Sequence, residues 1–288
     1  MKIIKNFLLF FFIIFCFKSL SGNIELYDDT GNLLKLQRSP SRIIVLSPEI
    51  NEIIFDIGKG NLIIANTEYC DFPEKSKKIK KVGSFSNPDI EKIIKLNPDL
   101  IFLTKGIQNN ILIKLKKLNL KFFTIYINSI DKLFASIQKI SLILNASEEG
   151  KFLITKMKKK LKKVKKLKRR ITILPLLWSK PVMVAGKGTL VNDIIKKAGA
   201  YNILDKYEKG GYFVVSDEFL LNNIPDYYLL CDKNITLNNR IFKIIKKKKN
   251  IRSIKINPDL ILRATPRTID GILTLNEILR GRSIISLH

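Results

Sequence analysis

The apolar residues of this chain form short runs that alternate with amphipathic segments. The runs predict strands near residues 42–46, 62–65, 100–103, 122–125, 171–174 and 227–230. Helical spacing lies between them, at about 50–57, 108–118, 130–144, 190–198 and 268–279. Residues 24–37 alternate around a turn sequence and predict a hairpin. Strands that alternate with helices indicate an α/β fold with parallel sheets.

One pattern occurs twice along the chain. Residues 87–106 and 216–232 each contain a short amphipathic helix, an x-Pro-Asp turn and an apolar strand. Glu91 and Glu218 fall in the first turns of these two helices. A unit used in both halves predicts two similar α/β lobes, and two lobes favour a ligand cleft between them.

The most basic segment lies between the two halves. Residues 156–170 contain eleven lysines and arginines, and apolar residues recur within them at helical spacing, namely Met157, Leu161, Val164 and Leu167. This pattern predicts one long helix over residues 147–170. We therefore expect an N-terminal lobe over 23–146 and a C-terminal lobe over 171–288, joined by that helix.

The first 22 residues have the layout of a secretory signal peptide. Two lysines precede an eleven-residue apolar run over 7–17, and small residues follow it. We expect a protein of the periplasm or of the extracytoplasmic face of the inner membrane. Cys16 is a candidate for lipidation, but the bulky Phe15 before it disfavours a lipid anchor.

The net charge of +27 raises the question of an anionic partner. Lysine is abundant throughout the chain, and the basic segment has the pattern of a helix with solvated faces. We therefore expect that the protein binds no nucleic acid. We also expect it to be a monomer. Peripheral contact between the basic face and anionic lipid stays open. A polybasic adhesion protein is an alternative class, which salt-dependent binding to liposomes or DNA would favour.

The residue inventory argues against an enzyme. The single histidine, His288, excludes histidine-based metal sites and Ser-His-Asp triads. Cys70 and Cys231 show no CxxC spacing and are expected to be isolated buried thiols. We predict no catalytic residue, no cofactor and no metal site. A metal chelatase on a similar fold is the enzymatic alternative, and it would need clustered histidine or acidic residues in the cleft.

Four separated blocks carry a family resemblance. They are RIIVLSPEINEIIFDIG, the segment from YCDFPE to NPDLIFL, AGKGTLVNDIIKKAGAYNI, and NPDLILRATPRTIDGILTLNEIL. In order and spacing they resemble the class III substrate-binding proteins of ABC importers for vitamin B12, haem and ferric siderophores, most closely the cobalamin-binding type. The resemblance implies two lobes bridged by a helix and a large, planar metal-chelate ligand. The implied ligand is a cobalamin-type corrinoid, with haem or a ferric siderophore as the alternative.

The resemblance also implies roles for individual residues. It places the ligand against aromatic rings, a thioether and guanidinium groups, at Tyr69, Phe85, Met183, Tyr212, Arg263 and Arg267. Thr104 and Met183 stand where the cobalamin-binding type has aromatics, which weakens the assignment of the ligand. For haem, the axial ligand would be Tyr69, Tyr212 or Met183.

The two first-turn acids acquire a role from the same resemblance. In the family, the corresponding acids bind arginines of a permease dimer that works with its ATPase. Glu91 and Glu218 are therefore expected to dock the chain on such a permease. An ordinary stabilising interaction with the helix dipole is the alternative explanation for acids at these positions.

Overall fold

The computed structural model describes residues 23–238, 240–248, 250 and 252–281. The predicted signal peptide over residues 1–22, including Cys16, lies outside the described residues, as does His288. Among the helices in the described ranges, none combines the length and the apolar character that a membrane span requires.

The first lobe is built on a parallel sheet. A hairpin of β1 (Ile24–Tyr27) and β2 (Leu33–Leu36) precedes strands β3 (Ile43–Val45), β4 (Ile63–Asn66), β5 (Leu100–Thr104) and β6 (Phe122–Ile125). These four strands are parallel in the order β4-β3-β5-β6. The helices are α1 (Pro48–Asp56), α2 (Glu74–Lys77), α3 (Ile90–Lys95) and α4 (Asn109–Lys117), with a 3-10 turn at Gly60–Leu62. Every residue of β3 is buried, as expected for a strand covered on both faces.

The second lobe is built on a mixed sheet. Its strands are β7 (Thr172–Ser179), β8 (Val182–Ala185), β9 (Tyr201–Asn202), β10 (Tyr212–Val214), β11 (Tyr227–Leu230) and β12 (Ser253–Lys255). Its helices are α7 (Leu190–Lys197), α8 (Asp217–Asn222), α9 (Arg240–Lys248) and α10 (Thr268–Leu279), with 3-10 turns at Ile203–Lys206 and Pro258–Leu260. The order is β10-β8-β7-β11-β12, and β9 also pairs with β7.

The predicted α/β fold with two lobes is confirmed, with one difference in the second sheet. Strands β7, β11 and β12 are parallel, but β8 and β10 are antiparallel to their neighbours. A tight connection joins β7 directly to β8, and such a connection produces antiparallel pairing because a parallel crossover needs a much longer segment.

Two further helices, α5 (Ile130–Ile143) and α6 (Ser147–Leu161), connect the lobes. Helix α5 packs against α1 of the first lobe and α7 of the second, while α6 packs against α5 and α10. At Gly150 the two connecting helices come so close that an added Cβ would collide with Ser141. One apolar core runs through this pair, from Leu34 in the hairpin to Leu279 at the end of α10.

The prediction of a single helix over residues 147–170 is wrong in its length, because α6 ends at Leu161. Beyond it, the side-chain amide of Asn276 binds the backbone N–H and C=O of Lys165, at 3.1 and 2.8 Å. These bonds replace the ones that a helix would supply, and repulsion among neighbouring lysines disfavours further helix. Val164 and Leu167 lie beyond the end of α6, but both side chains are partly buried and pack against the core.

The repeated helix–turn–strand unit has matching local structure in the two lobes. Asp89 caps α3 by accepting from the Lys92 N–H, and Ser216 caps α8 by accepting from the Phe219 N–H. Glu91 and Glu218 each follow the capping residue by two positions. The two acids therefore occupy equivalent places in equivalent helices.

The aspartates of the two x-Pro-Asp turns also make equivalent hydrogen bonds in the two lobes. The Asp99 carboxylate accepts from the backbone N–H groups of Ser41 and Arg42, at 2.8 and 2.9 Å, next to strand β3. The Asp226 carboxylate accepts from the backbone and hydroxyl of Thr172, at 2.8 and 2.9 Å, at the start of β7. Each aspartate thus fixes the beginning of a central strand.

The pKa of each of these two aspartates lies below the usual 3.8. Desolvation alone would raise the pKa, but the hydrogen bonds from Ser41 and Arg42 outweigh it at Asp99, and those from Thr172 do so at Asp226. An aspartate whose pKa is lowered by folding stabilises the fold above its unfolded pKa, and this contribution is lost as the pH falls through the folded value.

We expect Asp99→Asn and Asp226→Asn each to lower the free energy of unfolding at pH 7 by about 1–2 kcal/mol, the range for losing charge-assisted bonds at a partly exposed site. The difference from the parent protein should shrink below about pH 4, where the parent carboxylates become protonated. Urea unfolding at several pH values measures both effects. Asp217→Asn, at an exposed position of α8, is the control. A pH-independent difference would contradict the assigned role.

Candidate functional site

The first surface of the candidate site is the carboxyl edge of the parallel sheet. The chain leaves each of its strands at this edge, which is where α/β proteins place ligands. Tyr69 follows β4, Thr104 ends β5 and Tyr126 follows β6. Tyr69 is 57% exposed and Tyr126 44%, so two aromatic rings at this edge are available for contact.

A buried glutamine fixes Phe85 at the same edge. The Gln108 amide donates to the Phe85 carbonyl at 2.7 Å and to the Leu46 carbonyl at 2.8 Å. Its oxygen accepts from the backbone N–H of Thr104 at 2.9 Å. Because Leu46 follows β3 and Thr104 ends β5, these bonds tie the Phe85 loop to two central strand ends.

The second surface is one face of the antiparallel strands β7, β8 and β10. Met183 pairs directly with Trp178 on one side and with Val214 on the other, so the three side chains share a face. Tyr212 lies two residues before Val214 and projects from the same face. Trp178 is 58% exposed and Tyr212 54%, and this sheet face therefore presents a row of large apolar side chains.

Tyr212 links this second surface to the first lobe. Desolvation by the surrounding protein raises its pKa above the usual 10.0, and the nearby Tyr126 and Cys231 raise it further. The ring is nonetheless half exposed, a combination that indicates a concave position. Tyr126 belongs to the first lobe, so the electrostatic environment of Tyr212 includes a group of the other lobe.

The cleft is bounded on one side by hydrogen bonds between the lobes. The Asn128 amide donates to the Gly188 carbonyl at 3.0 Å, and the Ile130 N–H donates to the Asp193 carboxylate at 2.7 Å. Gly188 belongs to the Gly186-Lys187-Gly188 segment. That segment therefore lies at the boundary between the lobes, next to the entry into α5.

Ion pairs also join the two lobes. Arg267 forms a two-pronged pair with Glu52 of α1, with N–O distances of 2.7 and 2.6 Å. Arg263 donates to Asp71 at 2.6 Å and contacts Asp259 at 3.2 Å. The Arg267 guanidinium also stacks on the Phe72 ring, 3.8 Å from its centroid. The two arginines predicted to bind ligand thus both engage acids of the first lobe.

The two ion pairs differ in exposure. The Glu52 side chain is 2% exposed and that of Arg267 22%, whereas the Asp71 side chain is 46% exposed. Desolvation raises the pKa of Glu52 above its usual value, against the opposing effect of the bond and charge of Arg267. For Asp71, the bond and charge of Arg263 outweigh desolvation and lower the pKa. The two arginines are similarly buried, with side chains 18% and 22% exposed, so the pairs differ in their acids: Glu52 is buried and Asp71 is accessible to solvent.

The two predicted docking acids lie outside these surfaces. Glu91 and Glu218 are exposed in the first turns of α3 and α8. Each helix belongs to a different lobe. The two carboxylates are therefore presented to solvent by equivalent elements of the two halves.

The cysteines match their prediction. Cys70 and Cys231 are both buried and free. Burial raises the pKa of the Cys70 thiol to about 11, so it is protonated at neutral pH.

Several site residues were not predicted from sequence. Tyr126 follows β6 directly, and its place after an apolar strand was the available signal. Gln108 and Glu52 have no comparable signal, because nothing local distinguishes a buried polar residue from an exposed one on an amphipathic helix. Trp178 ends an apolar run, which is equally typical of a packed side chain, and only the structure shows that its ring is exposed.

Two α/β lobes pack through one core, and each carries exposed aromatic rings, an arrangement that is typical of a two-lobed ligand-binding protein. The chain belongs to the periplasmic binding protein family, whose model matches residues 43–264. It is a class III member, and the family comprises the substrate-binding proteins of ABC transporters.

Individual relatives agree with this assignment. The chain is 25% identical to an uncharacterized ABC transporter substrate-binding lipoprotein, YvrC, of Bacillus subtilis, over 87% of this chain and 83% of that protein. It is 26% identical to a vitamin B12-binding protein of Vibrio cholerae, over 84% and 90% of the two chains. The fold is also similar to that of the periplasmic haem-binding protein RhuT of Roseiflexus, with a TM-score of 0.72 at 20% identity, covering 84% of this chain and 98% of that one.

Arg267→Met should destabilise the protein at pH 7 by about 3–5 kcal/mol, because it removes the two-pronged partner of the buried Glu52 carboxylate and leaves it only Arg263, 3.8 Å away. Adding Glu52→Gln should recover most of the loss, and the single variant should regain stability as the pH falls, since a protonated Glu52 carries no charge. Chemical denaturation at pH 5 and 7 measures this. Arg280→Met is the exposed control. Equal losses in the single and double variants would contradict the pairing.

Proposed function

We propose that this protein captures a cobalamin-type corrinoid outside the cytoplasm and delivers it to the permease of an ABC importer. The observation that carries the proposal is the exposure of large aromatic rings on both lobes, namely Tyr69 and Tyr126 on the first and Trp178 and Tyr212 on the second. Rigid rings present wide apolar surfaces at low entropic cost, which suits a large macrocycle. The relationship to a vitamin B12-binding protein supports the same ligand.

The polar contacts at the rim can be assigned by exposure. Arg263 is paired with Asp71, whose side chain is 46% exposed, so an anionic or amide group of the ligand can replace that carboxylate at low cost. Arg267 is paired with the buried Glu52 and would leave it unpaired if it turned to a ligand. We therefore propose Arg263 as the ligand contact and Arg267 as a fixed support behind it, with Phe85 and Met183 completing the apolar walls.

Haem or a ferric siderophore is the second candidate. Its support is the similarity in fold to a haem-binding protein and the presence of exposed tyrosines near the cleft. Iron would favour a tyrosinate ligand, but the raised pKa of Tyr212 disfavours its ionised form. Tyr69 is then the better axial candidate. This difference makes the two ligands distinguishable by experiment.

The ligand test compares cyanocobalamin, haemin and a ferric siderophore by absorbance titration and calorimetry. Phe85→Ala and Tyr212→Ala should each weaken cyanocobalamin binding by about 1–3 kcal/mol, the cost of losing a large aromatic contact, and leave the melting temperature nearly unchanged. Tyr201→Ala, at an exposed tyrosine paired with Thr172 at the opposite end of β7 from Trp178, is the control. If only haemin binds, and Tyr69→Phe removes its charge-transfer band, the corrinoid assignment is wrong.

Delivery depends on the exposed acids of the two lobes. Glu91 and Glu218 occupy matching positions in α3 and α8, which places one docking carboxylate on each half of the protein. A permease built from two copies can offer one arginine to each of them. Charge-assisted bonds of this kind determine register and association rate more than affinity.

The double variant Glu91→Ala, Glu218→Ala should keep ligand affinity and melting temperature but abolish stimulation of the importer ATPase in reconstituted vesicles. Each single variant should retain part of the stimulation, because one lobe still docks. Glu74→Ala with Glu277→Ala removes two exposed acids elsewhere and should have no effect. Full stimulation by the Glu91 and Glu218 double variant would refute the docking role.

A further inference from the structure

The side chain of Lys81 occupies an unusual environment next to the cleft. Its ammonium nitrogen lies within hydrogen-bond distance of four oxygens, namely Asn66 Oδ1 at 2.7 Å, Cys70 O at 3.1 Å, Ser76 O at 3.2 Å and Thr67 O at 3.3 Å. Three of the four are backbone carbonyls, and none is a carboxylate. Lysine ammonium groups usually lie at the surface with their charge in water. Here the charge is directed inward, to a cage of neutral oxygens.

The oxygens come from a single loop, residues 67–76, and from the strand end that precedes it. Carbonyl groups that converge on one point repel each other unless a cation lies between them. An ammonium group has three N–H donors and can satisfy such a set, whereas a neutral amine has only two. The geometry is that of a monovalent cation site in which the cation is part of the chain.

The same loop carries both a proposed ligand contact and contacts with the second lobe. Tyr69 lies inside it as a proposed ligand contact, Asp71 binds Arg263 of the second lobe, and Phe72 stacks on Arg267. The carbonyls of Thr67 and Cys70 flank Tyr69, and those of Cys70 and Ser76 flank Asp71 and Phe72. Lys81 therefore holds the backbone on both sides of all three functional side chains.

A buried amide network supports the cage from behind. The Asn66 amide donates to the Asn51 side-chain oxygen at 3.1 Å and to Ser76 Oγ at 3.0 Å, and this leaves its oxygen for Lys81. Asn51 in turn donates to the Phe72 carbonyl at 2.9 Å. Asn51 and Asn66 are fully buried, so no solvent would replace these bonds readily.

The backbone of Lys81 is fixed independently of its side chain. Residue 81 pairs with Asn66 in a parallel bridge, through the bonds from Asn66 N to Lys80 O and from Val82 N to Asn66 O, both 2.9 Å. A change of the side chain alone therefore leaves the strand pairing in place. Desolvation lowers the pKa of Lys81, and the neighbouring Cys70, Asp71 and Glu68 oppose that effect.

We propose that Lys81 is a positioning residue of the ligand site, a built-in cation that orders the 67–76 loop and with it Tyr69, Asp71 and Phe72. The link to ligand binding rests on the function proposed above, whereas the ordering of the loop does not. If the ammonium acts as a bound cation, a free cation of similar size should replace it once the side chain is removed. Ammonium is the natural probe, and tetramethylammonium is too large for the cage.

The test measures hydrogen exchange of the loop amides and cyanocobalamin affinity in Lys81→Ala. Exchange at Cys70 and Ser76, whose N–H groups bond within the loop, should accelerate by about tenfold or more, as expected when several charge-assisted bonds are lost. Ammonium chloride should restore slow exchange, and tetramethylammonium chloride at equal ionic strength should not. Affinity for cyanocobalamin should fall and recover in parallel. Lys80→Ala, at the exposed neighbouring position, is the matched control.

Each outcome separates the two proposals. Exchange in Lys81→Ala no faster than in Lys80→Ala, or equal restoration by both salts, would overturn the cation role. Ammonium-specific restoration without cyanocobalamin binding by any variant, the parent included, would uphold the loop role and refute the corrinoid ligand. If Lys81→Ala does not fold, Lys81→Met keeps the apolar stem without the charge, and faster loop exchange in that variant supports the proposal as well.

Discussion

The relative position of the two lobes is the constraint on which the candidate site depends. A single apolar core passes through α5 and α6, and the close approach of these helices at Gly150 leaves little room for adjustment between them. Two further contacts join the lobes: Asp193 binds the entry to α5, and Arg267 binds the buried Glu52. Because packed cores transmit strain instead of yielding to it, rings on opposite lobes keep a defined separation. A preset cleft of this kind binds a rigid ligand without a large cost for closure.

Much of the fold could be predicted from the sequence, and the reason is local. Each x-Pro-Asp turn indicates the end of a helix and the start of a strand. The aspartates of these turns, Asp99 and Asp226, also bind the backbone next to a neighbouring strand. Buried parallel strands leave continuous apolar runs that cannot be mistaken for loops. The length of the connecting helix could not be predicted, since the bonds that end it come from Asn276, more than a hundred residues away. The antiparallel pairing of β8 with β7 could not be predicted either, because a short apolar run does not indicate whether its strand is parallel or antiparallel to its neighbour.

The candidate site shows the limit of sequence reasoning more clearly. The family resemblance implied ligand contacts for Tyr69 and Tyr212, and both rings are exposed in the structure. The sequence did not distinguish the roles of the two arginines that were expected to bind the ligand. Arg263 and Arg267 are four residues apart in one segment, yet Arg263 bonds the exposed Asp71 at 2.6 Å, whereas Arg267 bonds the buried Glu52, which Arg263 approaches only to 3.8 Å. The side chain that a guanidinium meets lies about two hundred residues away, so its role becomes visible only in three dimensions.

The 67–76 loop explains how ligand contact and lobe contact come to be coupled. Tyr69 and Asp71 are two residues apart on a backbone whose carbonyls converge on one ammonium group, so neither can move without disturbing the other. Under the proposed function, a ligand group that replaced Asp71 at Arg263 would remove one bond between the lobes and add one through itself. The ligand would then become part of the lobe interface. A partner that pulls on both lobes through α3 and α8 would then weaken ligand binding and lobe contact together, and release needs no change in the buried pair of Arg267 and Glu52.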